Sequence, residues 1–270
     1  MEQRFFWWHG VQLGYEEHGR GPELIVLMHG LLLDAGINRA VAAGLAEQGY
    51  RVVLLDLAGH GTSDKPRHAA HHRIDRYADQ VVALLDELGV DSAVIGGVSL
   101  GANVSLFVAD RAPDRVRALV VEMPVLEQAA PTAWVMFVPL LLAVHYARPL
   151  VRLASRVVRR LPSTGSDLLD SSLGLVAEPE ESAAVLHGIL VGPLAPPLER
   201  RALITAPTLV IGHEHDRLHP FHDAENLTRQ MPDAQLLRAR SLLEMRLNPA
   251  RLVRRIAAFV ATTADRRVAT

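Results

Sequence analysis

Gly97-Val98-Ser99-Leu100-Gly101 closes an apolar run at residues 93–97 and opens a stretch suited to a helix. A G-x-S-x-G pentad in that strand-to-helix setting has a physical rationale. Small residues on both sides let the chain turn tightly, so the Ser99 hydroxyl projects at the carboxyl edge of a sheet, beside a helix N-terminus. The next backbone N–H, that of Leu100, then faces charge developing on a carbonyl oxygen. Glycine and serine are common, and an isolated pentad more often marks a glycine-rich turn than a reactive centre. Its surroundings decide between the two.

Working outward, short Val-, Leu- and Ile-rich runs at residues 24–28, 52–57, 93–97, 118–121, 208–211 and 235–237 alternate with amphipathic segments. That alternation predicts an α/β protein with a mainly parallel sheet covered on both faces. Ile74, Tyr77, Val81, Leu84, Leu85 and Leu88 recur at three- and four-residue spacing before Gly89, which predicts a crossover helix stopped by that glycine. Asn248 and Pro249 suit a cap and first helical position ahead of Leu252, Ile256, Phe259 and Val260. Residues 5–8 and 11–15 flank Gly10 and predict an antiparallel hairpin at one edge.

The alternation breaks after Glu122 and resumes at Pro207. Residues 124–206 therefore read as an insertion, and residues 1–123 and 207–270 as one core domain. The insertion holds an apolar stretch at 133–144, an arginine-bearing stretch at 152–160, a Ser/Gly/Asp loop at 163–166, and prolines at 193, 196 and 197. The apolar stretch contains Pro139 and falls short of the roughly 18 to 20 residues a membrane span requires. No integral span is expected.

Three further positions agree with the pentad. His29-Gly30 follows the run at 24–28, Asp56-Leu57-Ala58-Gly59-His60-Gly61-Thr62-Ser63 ends the next, and Asp216 lies just beyond Gly212. With the pentad, these residues resemble the α/β-hydrolase superfamily over essentially the whole chain, in the subgroup whose lid follows the sixth strand. The resemblance implies a twisted, mostly parallel sheet with helices on both faces and a mostly helical lid after strand 6. It also implies Ser99 as nucleophile, Asp216 as the triad acid, and the backbone N–H groups of Leu31 and Leu100 as the oxyanion hole. His29, Asp56 and Ser63 are implied to shape loops rather than to move protons.

The third triad member departs from the family pattern. In these hydrolases a histidine follows the last strand, a few residues ahead of a proline that opens the closing helix. Here that stretch reads Ala239-Arg240-Ser241-Leu242-Leu243-Glu244-Met245-Arg246-Leu247-Asn248-Pro249, and no histidine occurs after His222. Ser241 or Leu242 occupies the place of the proton carrier. A serine hydroxyl without a base is a poor nucleophile, and losing the histidine of such a unit costs about a millionfold in subtilisin.

Three readings are open. Another histidine substitutes: His213, His215, His219 and His222 surround Asp216 in sequence, and His219, three residues beyond the acid, is preferred, ahead of His145 and His187 in the insertion. Alternatively the chain is an impaired hydrolase-fold protein that binds or regulates, or it runs a non-hydrolytic reaction in the same cavity. Glu244, near the vacant position, reads as a solvated charge at a helix start.

Composition narrows the remaining classes. The 270 residues are 49% hydrophobic, enough for a sizeable core, and 28 basic against 30 acidic side chains give a net charge of −2. No global field draws the chain to nucleic acid or anionic lipid. Cysteine is absent, which excludes disulfides, thiolate metal sites and a cysteine nucleophile. The run from His213 to His219 fails the H-x-H-x-D-H metal spacing, and His68, His71 and His72 beside Arg67 and Arg73 read as a solvated loop. No nucleotide motif is present, so no cofactor and no metal are expected. The N-terminus shows no targeting pattern, and a cytoplasmic protein is expected. Trp134, Met136, Phe137, Leu140, Leu141 and Leu142 are candidates to line an apolar entrance. The expected function is a serine-dependent hydrolase of an ester or thioester with an apolar acyl group; the alternative is a binding or regulatory protein on the same fold. The sequence leaves the oligomeric state open.

Overall fold

Eight strands form one sheet in the computed structural model, which describes residues 2–146, 148–158, 160 and 179–268. They are β1 (Glu2–Trp8), β2 (Val11–His18), β3 (Leu24–Met28), β4 (Arg51–Leu55), β5 (Ala93–Val98), β6 (Val116–Glu122), β7 (Thr208–His213) and β8 (Ala234–Ala239), in the spatial order β1-β2-β4-β3-β5-β6-β7-β8. The hairpin β1–β2 pairs antiparallel, β2 joins β4 antiparallel, and every later pairing is parallel. Each run read from sequence is thus a strand, although β4 stops at Leu55, so residues 56 and 57 begin the following turn.

All five residues of β3 are buried, as a strand covered on both faces demands. The period-two alternation sorts them between two cores. Val26 and Met28, with Val53, Leu55, Ile95 and Val121, pack against α2 (Ile74–Glu87), α3 (Leu100–Arg111) and α8 (Phe221–Gln230). Ile25 and Leu27, with Val52, Leu54, Val94 and Val120, pack against α1 (Arg39–Glu47) and α10 (Ala250–Val268). The predicted crossover helix is α2, with Gly89 at φ 64, in the left-handed region, just past its end. The closing helix starts at Ala250, one residue later than the sequence suggests, because Pro249 contributes its carbonyl to the first turn.

Between β6 and β7 the chain runs through α4 (Ala130–Tyr146), α5 (Arg148–Val158), α6 (Pro179–Val191) and α7 (Leu198–Arg201). The Ser/Gly/Asp loop at 163–166 lies outside the described residues. Two buried side chains fasten this insertion to the core. Asn103 on α3 donates to the carbonyls of Val125 and Leu194, both at 2.7 Å, and accepts from Val125 N–H at 3.0 Å. Asp223 on α8 accepts from the N–H groups of Leu126, Gln128 and Ala129 at 3.0, 3.1 and 3.0 Å, just ahead of α4. Both entry and exit of the insertion are therefore tied to the helix that follows Ser99.

Two expectations change here. His72 is fully buried rather than solvated: its ring meets the Tyr77 hydroxyl at 3.0 Å and the Pro66 carbonyl at 2.6 Å, and burial holds its pKa below the ordinary histidine value. Glu244, which opens the short helix α9 (Glu244–Leu247), is also buried rather than solvated. It pairs with Arg251 at 2.6 Å and accepts from Arg240 N–H at 2.5 Å. Hydrogen bonding from Arg251, opposed by partial burial, brings its pKa down to about 2.

Candidate active site

Tight local geometry puts Ser99 at the rim of the sheet. It sits between β5 and α3 at φ 54, ψ −107, a conformation that non-glycine residues seldom hold. The flanking glycines are required by space: a Cβ on Gly97 would lie 2.6 Å from the Met28 carbonyl oxygen, and one on Gly101 would lie 2.5 Å from the same atom. The elbow is thus pressed against the end of β3, where His29 begins the next loop. His29 is wholly buried, donating from Nδ1 to Gly30 O at 2.8 Å and accepting Leu57 N–H on Nε2 at 3.1 Å. It braces the loop that carries Leu31. Asp56 does the same for its turn, accepting from Ala35 N–H and Thr62 N–H at 2.8 Å each, while Ser63 bonds to the Asp56 carbonyl at 2.5 Å.

The loop after β7 brings its histidine to the elbow. His219 Nε2 lies 2.8 Å from Ser99 Oγ, and His219 Nδ1 lies 2.8 Å from Asp216 Oδ2. The other carboxylate oxygen, Oδ1, accepts the N–H groups of Leu218 at 2.8 Å and His219 at 3.1 Å, closing a turn that fixes the acid beneath the ring. His215 enters this turn at φ 64. Burial raises the Asp216 pKa, but the hydrogen bonds and charge of His219 outweigh it and hold the carboxyl below its ordinary value. An ionised Asp216 only accepts, so Nδ1 carries the ring hydrogen and Nε2 is left to accept from the Ser99 hydroxyl. Three residues in hydrogen-bonded series thus come from two loops, with acid and imidazole in one of them.

The other histidines point elsewhere. His215 and His187 are exposed, and His222 pairs with Glu225 at 3.2 Å on the surface. The side chain of His145 lies outside the described set. His213 is buried, 3.0 Å from Glu122 Oε1 and 2.9 Å from the Ser241 carbonyl. Glu122 Oε2 in turn receives Arg246 Nη2 at 2.5 Å, and Arg246 Nη1 reaches Asn38 Oδ1 at 3.3 Å. Glu122 is buried, which raises its pKa, yet the Arg246 charge and the His213 bond bring it below the ordinary carboxylate value. This ionic cluster occupies the zone under the Ser241-Leu242 turn, where the family histidine was sought. Sequence reading missed it, although a glutamate directly after the apolar run 118–121 was the available sign.

A cavity of about 250 Å³ opens over Ser99. Leu33, Ile37, Phe137, Ile189, Leu218 and Leu242 are among its apolar walls, and Leu31, Ser99 and Leu100 also line it. Leu100 opens α3, so its N–H has no intrahelical partner. Neither that N–H nor the one of Leu31 meets an acceptor among the described residues. Of the six apolar side chains singled out in the insertion, Trp134 and Phe137 line the cavity; Met136 and Leu142 are exposed instead, and Leu140 and Leu141 stand outside the lining. Among the described residues, no three His, Asp or Glu side chains converge as a metal site.

The α/β hydrolase fold family model matches residues 23–240, from β3 to the end of β8, including Ser99, Asp216 and His219. The chain belongs to the α/β-hydrolase fold family. Among its relatives are an uncharacterized protein of Mycobacterium tuberculosis (28% identical, covering 94% of this chain and 80% of that one). Another is 2-hydroxy-6-oxononadienedioate/2-hydroxy-6-oxononatrienedioate hydrolase 2 of Pseudomonas putida (29% identical, 84% and 82%). In structure the hydrolase-fold chain is similar to the enol-lactonase of Burkholderia xenovorans LB400, with a TM-score of 0.78 at 20% identity over 96% of this chain and all of that one. It is also similar to a thermophilic esterase of Thermogutta terrifontis, with a TM-score of 0.77 at 22% identity over 97% and 99%. At these identities the structural likeness speaks for the fold. No single described helix of this α/β hydrolase is long and apolar enough to cross a membrane.

Proposed function

We propose that this α/β hydrolase cleaves a carboxylic ester or thioester with an apolar acyl group through Ser99, His219 and Asp216. The observation that carries the reading is the pair of 2.8 Å contacts joining Asp216 to His219 and His219 to Ser99. Ser99 Oγ attacks the carbonyl carbon as its proton passes to His219 Nε2, and the oxyanion is held by Leu31 and Leu100 N–H. His219 then hands that proton to the leaving alkoxide or thiolate. A water, deprotonated by the same nitrogen, releases the acid and restores the serine. Asp216 keeps the ring in the productive tautomer and stabilises the imidazolium throughout.

The apolar walls favour an alkyl or acyl group over a sugar or phosphate. Residues 124–206 serve as the lid, with α4 roofing the cavity through Trp134 and Phe137. Hydrolysis of p-nitrophenyl esters of graded acyl length, by the protein and by Ser99→Ala, tests the reading. Turnover that falls by at least about 10³-fold in Ser99→Ala is expected. Activity equal in the two proteins refutes a role for Ser99, and no activity on any ester or thioester favours the binding-protein alternative.

A further inference from the structure

The insertion carries a surface that neither the fold nor the proposed hydrolysis explains. Its helix α4 contains no charged residue over seventeen positions and is apolar on every side. In a globular setting such a helix is buried, or lies against lipid. Here Val135 is 77% and Tyr146 78% exposed. Helix α5 is amphipathic, and it is turned the unexpected way round: the polar Ser155 is buried, whereas Leu150, Leu153 and Val157 are 72%, 56% and 56% exposed. Those three share one stripe at i, i+3 and i+7. Scattered exposed leucines need no explanation, but large exposed apolar side chains gathered on two consecutive helices mark a contact surface.

Charge says what the contact is with. Between Glu127 and Asp167 the sequence holds Arg148, Arg152, Arg156, Arg159 and Arg160 and no acidic residue. The chain as a whole carries −2, so the rest of it is correspondingly acidic. In the register of α5, the exposed Arg156 lies about a quarter-turn to one side of the stripe formed by Leu150, Leu153 and Val157. An exposed apolar stripe on a segment whose only charges are arginines is the pattern of a helix lying in the plane of a membrane interface. Anionic headgroups attract those cations. Tyr146, 78% exposed, adds an amphipathic ring suited to the same depth. The 91° bend between Ala130–Val144 and Pro149–Val158 suits two short helices lying on a surface better than one spanning it.

We propose that α4 and α5 form a peripheral docking surface for anionic phospholipid bilayers. The contact is independent of the proposed hydrolysis, but its position has a consequence for access: Trp134 and Phe137 of α4 line the cavity from within, while Val135 on the next position faces out. A molecule partitioned in the bilayer thus meets the cavity roof at the docked face.

Flotation of the full-length protein with vesicles of phosphatidylcholine, and with vesicles in which about a third of the lipid is phosphatidylglycerol, tests this. Binding to the anionic vesicles at low salt, weakened by added salt, is expected. The triple variant Leu150→Ser/Leu153→Ser/Val157→Ser should bind roughly tenfold or more weakly for each leucine removed from contact with lipid. None of these side chains lines the cavity, so turnover of a soluble ester should stay the same and report that the variant is folded. Absence of binding to anionic vesicles overturns the proposal. So does a dimer, seen by light scattering, that the triple variant dissociates, because a second copy then covers the stripe. Protein that resists extraction at high salt and alkaline pH overturns the peripheral geometry in favour of insertion.

Discussion

At Ser99 the backbone, rather than the side chain, does the positioning. A φ of 54 aims the hydroxyl into the cavity, and the glycines at 97 and 101 make room for the turn. His219 gains its place from a local turn with Asp216, three residues earlier, so the relay owes nothing to the loop after β8. Asp216→Asn keeps the shape but removes the preference for the productive tautomer; steady-state kinetics should show kcat lower by about 10⁴-fold with KM little changed. Leu242→His adds an imidazole where the family histidine is usual. With His219 already 2.8 Å from Ser99, that variant should show no gain in turnover, and a large gain would place the working base after β8 instead. The pentad was legible from its strand-to-helix setting, and Asp216 only through the family resemblance, from its place just beyond the strand run at 208–211. His219 was legible only as one of several candidates, since reach to Ser99 is set by the turn at His215. Glu122, His213 and Arg246 were not legible as a unit: they come from three elements and meet only when β6, β7 and α9 are packed.

The same contrast holds for whole elements. Strand runs and the α2 stripe could be read because burial on two faces or on one leaves a periodic record in the sequence. What could not be read is how the insertion is fastened, since Asn103 and Asp223 look like ordinary polar positions on helices. Asp223 takes three N–H groups from residues 126–129 and is wholly buried. Asp223→Ala leaves those donors without an acceptor, and urea denaturation should show a loss of about 3 kcal/mol. If the loss is local to the insertion, limited proteolysis should cut between β6 and β7 before the core unfolds. His72 and Glu244 make the complementary point. Charge-rich stretches read as solvated, yet each residue is held in the interior by hydrogen bonds to partners within seven residues that no periodicity records.

Across the molecule, charge is arranged to hold the antiparallel edge to the body. Glu16 on β2 is buried beside Arg39 at the start of α1, with a shortest contact of 2.6 Å, and meets His18 at 3.4 Å. Burial raises its pKa, but bonds from His18 and Arg39 prevail and bring it from 4.5 down to about 2. The folded pKa is the lower one, so the stabilisation is present above pH 4.5 and is lost as pH falls toward 2. Relative to Glu16→Gln, the protein should be more stable by about 1 kcal/mol near neutral pH after allowance for solvent screening, and the difference should vanish near pH 2. Urea midpoints for both proteins at several pH values check this; a difference that grows in acid contradicts it.

The central claim is that His219 activates Ser99. It is tested most directly by the rate at which a fluorophosphonate labels the intact protein, with mass-spectrometric mapping of the modified residue, in the unaltered chain and in His219→Ala. The account expects rapid labelling at Ser99 that slows by several orders of magnitude without the imidazole. Labelling at Ser99 at the same rate in both proteins contradicts it.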